Sequence, residues 1–203
     1  MFVLPENLPL ELTPLAFVVG TWEGTGVISY AHRRDQNDLP IEYQFSQRVE
    51  FFHNGENYLT YQSTAKLLDG TETILPSELG YWKIARPAEP ADHGPGLLPG
   101  VGQKSIQTPD DLERLRNAHG GFDVEASIIH PSGISEHYIG YVKKAQIELV
   151  TAAGSSRPAN SKEYAGGKRI YGLVEGALLW AWDIAALGNP LVSHASARLE
   201  RVQ

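Results

Sequence analysis

Apolar and polar residues alternate with period two along much of this 203-residue chain, the signature of half-buried strands. Between residues 41 and 51, Ile41, Tyr43, Phe45, Val49 and Phe51 share one face, with Glu42, Gln44, Ser46, Arg48 and Glu50 opposite. Segments 58–64 and 80–84 are rich in aromatic and β-branched residues, which suit a pleated surface. Further strands are predicted over 122–129, 135–142, 145–151, 168–174, 177–184 and 191–202. Turn signals separate many of them: Asn54-Gly55, Asp69-Gly70, Pro131-Ser132-Gly133 and Glu175-Gly176. Many short strands at hairpin spacing favour a barrel or sandwich over a βαβ fold.

One stretch breaks the pattern. Residues 88–102 are rich in Pro and Gly and predict an irregular loop. Thr108-Pro109-Asp110-Asp111, leading on to Asn117, then reads as a helix start, with Thr108 as cap, Pro109 in the first turn and two aspartates at the positive helix end. Residues 87–121 are therefore expected to be one insertion carrying a short helix, either covering a barrel mouth or forming a mobile surface loop. A second short helix is expected over 9–16. The whole chain, 1–203, is read as one domain.

Composition removes several function classes. There is no cysteine, so disulfides, thiolate nucleophiles, thiolate-held clusters and Cys-type zinc sites are out. This also fits a reducing cytosol. Asp and Glu outnumber Lys and Arg 24 to 17, a balance that disfavours nucleic acid. The first seven residues lack a leader pattern, and no apolar run is long enough to span a bilayer, so a soluble cytoplasmic protein is expected.

Two motifs remain. Gly20-x-Trp22-x-Gly24-x-Gly26 fails as a dinucleotide fingerprint because Ser29 stands where a third glycine belongs. A mechanical role fits better: Gly24 and Gly26 permit bending and close backbone approach, while Trp22 plugs a barrel end. Among the seven histidines, His53, His93 and His119 are expected at the surface, and His130 and His137 flank a turn without zinc spacing. His194 lies mid-strand. Strict alternation puts it with Val192, Ser196 and Arg198, opposite Ala195, Ala197 and Leu199. From the residues alone it is a structural histidine more readily than a ligand. Trp180 and Trp182 share a face and read as core. No nucleophile–base set emerges.

The motifs in order carry a resemblance. The lead-in and strand at 14–26, Val49-Glu50-Phe51-Phe52-His53-Asn54-Gly55, Ser77-Glu78-Leu79-Gly80-Tyr81-Trp82, His130-Pro131-Ser132-Gly133-Ile134-Ser135-Glu136, Ser161-Lys162-Glu163, Arg169-Ile170-Tyr171 and the segment around His194 together resemble the nitrobindin family. The resemblance implies an all-β, up-and-down antiparallel barrel of about ten strands, related to lipocalins and fatty-acid-binding proteins. It implies one haem b per chain in the barrel mouth, with His194 as axial ligand of the iron and Lys162 near the propionates. It further implies isomerisation of peroxynitrite to nitrate at ferric iron and binding of nitric oxide at ferrous iron, by a monomer or homodimer. Pro76 stands where some relatives carry a distal histidine, and His32 falls roughly where relatives have a threonine. The alternatives are a carrier of an apolar small molecule without haem and an empty barrel serving as an interaction module.

Overall fold

The computed structural model describes residues 6–202; residues 1–5, which open the segment read as lacking a leader pattern, and Gln203 lie outside the described residues. A 3-10 helix, Leu10–Val18, is followed by strands β1 (Gly20–Arg34), β2 (Pro40–Phe52), β3 (Leu59–Leu67) and β4 (Ile74–Ile84). After the insertion and its helix α1 (Pro109–Glu113) come β5 (Phe122–Ile129), β6 (Ser135–Lys143) and β7 (Gln146–Thr151). The chain ends with β8 (Tyr164–Val174), β9 (Ala177–Ala186) and β10 (Val192–Arg201). Each strand pairs antiparallel with its sequence neighbours, and β1 pairs with β10, closing a ten-stranded up-and-down barrel. Closure satisfies both edges of every strand and leaves none open to other chains. No helix among the described residues is long and apolar enough to cross a membrane.

The two ends of the barrel differ. At one end the 3-10 helix lies across the opening and buries Leu12, Leu15 and Val18 completely. Trp22 beneath it is fully buried, and its Nε1–H donates to the Val18 carbonyl at 2.7 Å. The Arg201 guanidinium sits 4.2 Å from the Trp22 ring centre and donates to the Phe17 carbonyl at 3.1 Å. Gly24 and Gly26 lie where β1 crosses β10 at close range. A Cβ at Gly24 would fall 2.9 Å from the Leu199 Cα, and one at Gly26 2.6 Å from the Ala197 Cβ. Trp22 thus lies at the closed end, and Gly24 and Gly26 lie where β1 and β10 approach closely. Above this plug, Phe51 and Trp82 meet edge to face at 5.3 Å, and Trp82 meets Tyr171 in the same way. Aromatic rings fill the lower half, and the upper half is hollow.

The insertion packs against the closed end. Arg86, just before it, pairs with Glu11 of the 3-10 helix at 2.9 Å and with Asp92 at 2.7 Å, while Lys104 pairs with Glu56 at 2.7 Å. Leu112 of α1 is buried in the core. Thr108 and Asp111 form the reciprocal capping box. The helix ends at Glu113, short of the predicted Asn117, because the Asn117 side chain accepts from the His119 and Gly121 amides and turns the chain into β5. β4 and β8 begin earlier than the alternation predicts. Both run through register shifts near Pro76 and Gly166 that interrupt the period-two pattern.

Candidate functional site: the open end of the barrel

The hollow half forms a cavity of about 350 Å³. Its walls are mainly apolar, built by inward residues such as Ile28, Phe45, Val49, Trp180, Trp182 and Ile184. A mostly apolar cavity with a few polar groups is the usual form of a small-molecule site. Trp180 and Trp182, read from the sequence as core, line it. The Trp180 Nε1–H is satisfied by Gln47 at 2.8 Å, so this ring is fixed.

His194 also lines the cavity, and here the structure corrects the alternation. Ser193 of β10 pairs with Asp183 of β9, whereas Ala195 pairs with Trp182, so one residue of β10 is left over between them. The resulting β-bulge turns His194 inward, and it lines the same cavity as its neighbour Ala195. Ser196 and Arg198, placed on its face by strict alternation, are exposed. The His194 Nδ1 lies 3.0 Å from the Ser29 carbonyl on β1. A carbonyl only accepts, so Nδ1 carries the proton and Nε2 is left with its lone pair. Burial holds the imidazole pKa below its usual 6.5, while the bond to Ser29 opposes this more weakly. The ring meets Trp182 edge to face at 5.5 Å and 80°, and Tyr30 at 6.2 Å and 64°.

A buried ionic cluster borders the cavity through Glu78, His130 and Arg169. Arg169 of β8 donates to both carboxylate oxygens of Glu78 on β4, at 2.5 and 2.9 Å, and to the Tyr138 hydroxyl at 3.0 Å. Tyr61 donates to the same Glu78 at 2.7 Å. Burial alone would raise the Glu78 pKa, but the guanidinium and these hydrogen bonds outweigh it and bring it to about 2. Glu136 accepts from Tyr138 at 2.5 Å and from Tyr164, and faces the His130 Nε2 at 2.7 Å. Its pKa is also lowered: burial pushes it up, and His130, Arg169 and the two hydroxyls together push it further down. His130 turns its other nitrogen to Glu78 at 3.7 Å and stacks on Trp182.

The predicted site residues therefore separate. His194 stands at the cavity, and Trp22 plugs the far end. Pro76 lines the cavity where a distal histidine was sought. Lys162 is exposed on the loop entering β8, two residues before the cavity-lining Tyr164. His93 and His119 are exposed as expected, whereas His53 is half-buried with its Nδ1 unpaired. The sequence reading gave no role to Glu78, Glu136, His130 or Arg169. Glu78, Glu136 and Arg169 stand there only within matching motifs, and His130 also as a turn-flanking histidine without zinc spacing. The available signal was that three ionisable residues on separate strands, Glu78, Glu136 and Arg169, sat at positions that alternation turns inward, with His130 one residue past the end of β5.

The donor set suits a haem. A neutral imidazole with a fixed tautomer and a free Nε2 is a good iron ligand, and the apolar walls accept a porphyrin face. Comparison with known proteins gives the same picture. A peroxynitrite isomerase of Leifsonia xyli subsp. xyli is 51% identical over 203 residues, covering 100% of both chains. One of Clavibacter michiganensis subsp. michiganensis is 47% identical over 204 residues, again covering 100% of both. Among solved structures, that of Rv2717c from M. tuberculosis matches with a TM-score of 0.67 at 25% identity, covering 99% of this chain and 100% of that one. Residues 11–201 match the family model described as the THAP4-like, heme-binding β-barrel domain. With the whole barrel and its histidine-bearing strand inside that match, the chain belongs to the THAP4-like, heme-binding β-barrel family.

Proposed function

We propose that this barrel holds one haem b through Nε2 of His194 and isomerises peroxynitrite to nitrate, with nitric oxide as a second ligand of the same site. One observation carries the reading: a bulge aims His194 into the hollow, and the Ser29 carbonyl leaves Nε2 free as a Lewis base. A carrier of apolar molecules has no need of such a base in its wall. The curated relatives named peroxynitrite isomerase, aligned over their full length, support the choice of reaction.

When bound, the haem supplies a Lewis-acidic, redox-active iron for rearranging the O–O bond of peroxynitrite into the third N–O bond of nitrate. The protein's share is binding, orientation and exclusion of water. Ser29 keeps the proton on Nδ1, so the ligating nitrogen stays available. Phe45, Ile184 and Trp180 form an apolar wall that would lie against the bound group and exclude water from it. Pro76 offers no N–H toward the cavity, so it cannot supply the hydrogen bond of a distal histidine. Lys162, at the rim, is assigned to offset a propionate charge. The chain's lack of cysteine suits work in the cytosol.

Hemin titration tests this. The parent protein is expected to develop a Soret band saturating at one hemin per chain, and His194→Ala to lose most of it. Loaded parent protein should speed peroxynitrite decay in stopped flow and raise the nitrate yield. Equal hemin spectra and affinities in the two proteins would refute ligation by His194.

A further inference from the structure

A line of ring contacts runs from His194 to the buried ion pair. Trp182 meets His194 edge to face at 5.5 Å. The same indole carries the Arg169 guanidinium 3.9 Å from its ring centre and stacks with His130 at 5.9 Å and 13°. Arg169 is held by both oxygens of Glu78, and His130 by Glu136 at 2.7 Å. The Trp182 Nε1–H is buried without a hydrogen-bond partner. A polar anchor therefore does not fix this indole; its ring contacts do. Gly167 of β8 completes the seat, since a Cβ there would fall 2.6 Å from Nε1.

We propose that Trp182 is the positioning residue of His194, setting the plane of the imidazole and hence the direction of its Nε2 lone pair. The proposal rests on the haem reading above. One hydrogen bond, Nδ1 to Ser29, selects the tautomer but leaves the ring free to tilt about that contact. Edge-to-face ring contacts restrain the tilt, from Trp182 at 5.5 Å and from the more distant Tyr30 at 6.2 Å. Trp182 is suited to that task because it borders open cavity and would swing into it if unsupported. The cation over its face and the carboxylates behind that cation hold it back. The buried ion cluster thereby acquires a use, as the outer support of the axial ligand.

The test compares Trp182→Leu and Trp182→Phe with the parent and with His194→Ala, using hemin as the probe. The readouts are hemin affinity and the iron–histidine stretching band in resonance Raman spectra of the reduced, loaded protein. Trp182→Leu is expected to weaken hemin binding about 10- to 100-fold, the usual range for losing an outer support of a metal ligand, and to shift or broaden that band. Trp182→Phe keeps a flat ring without the N–H and is expected to restore most of both. A folded Trp182→Leu with the parent's band and affinity overturns the proposal, as does a Phe variant no better than Leu. If Trp182→Leu does not fold, Gly167→Ala decides, because its Cβ crowds the indole Nε1 most closely, at 2.6 Å against 2.9 Å for the Asp183 carbonyl and the Tyr164 hydroxyl, while every cavity ring remains; an unmoved band overturns the proposal. Should His194→Ala keep the parent's Soret band, the haem reading itself fails and this inference falls with it. Loss of that band in His194→Ala beside an unaffected Trp182→Leu overturns the positioning role alone.

Discussion

His194 and Ala195 are consecutive in β10, yet both line the cavity, because β10 carries one more residue than β9 between the pairs Ser193–Asp183 and Ala195–Trp182. A regular strand would send His194 outward beside Ser196. The imidazole whose Nδ1 is held by the Ser29 carbonyl of the neighbouring strand thus owes its place to a fault in the register. Bulges gather at barrel rims and beside sites for this reason: a bulge redirects one side chain without moving the sheet.

Deleting Ser193 should abolish the site while preserving the barrel. With the extra residue gone, the residue before Ala195 pairs with Asp183 and His194 faces solvent. Hemin affinity is expected to fall to the level of His194→Ala, with a far-UV circular dichroism spectrum like the parent's. A deletion variant that binds hemin normally would show that the bulge does not orient the ligand.

Glu78→Leu should destabilise the barrel strongly. It leaves the Arg169 guanidinium buried without its carboxylate, a loss of about 3–5 kcal/mol for a broken buried pair. Replacing both partners, Glu78→Leu with Arg169→Met, should recover much of that, since no charge is then stranded. Urea unfolding of the single and double variants measures the difference.

Acid should expose the same pair. The folded pKa of Glu78, about 2, lies below the 4.5 of the free carboxyl, so unfolding takes up a proton in this range. Its contribution is complete above about pH 4.5 and is lost as pH falls toward 2. Glu136 is shifted in the same direction and adds to the effect. Thermal melts between pH 5 and 2 should show a steep fall that is shallower in the Glu78→Leu, Arg169→Met double variant, each compared with its own stability at neutral pH.

Gly24→Ala should weaken the barrel without touching the site. The added methyl meets the Arg198 carbonyl and the Leu199 Cα, and such crowding costs about 1–3 kcal/mol. Gly24 is remote from the cavity lining, so hemin affinity of the folded fraction should stay at the parent level. Denaturant melts and hemin titration separate the two effects.

Much of this architecture is legible from side-chain order. Period-two runs, bounded by Asn54-Gly55, Asp69-Gly70 and Glu175-Gly176, specify strands and hairpins through contacts between near neighbours. Thr108, Pro109 and Asp111 specify the start of α1 just as locally, by satisfying amides within one turn. The failures share a cause. β8 starts before its predicted first residue and runs through a register shift between Tyr164 and Gly166, and β4 passes through Pro76 at another irregular pairing.

Alternation along the chain by itself determined the strands, the hairpins, the capped insertion and the plug around Trp22, since each depends on residues a few positions apart. The motif order, read as a resemblance, added His194 as the ligand to examine. Only the tertiary structure decided that His194 faces inward, that Ser29 sets its tautomer, and that Glu78, Glu136, His130 and Arg169 meet behind Trp182. These facts depend on register between strands far apart in sequence, and a shift of one residue reverses the face of a side chain without changing any local preference.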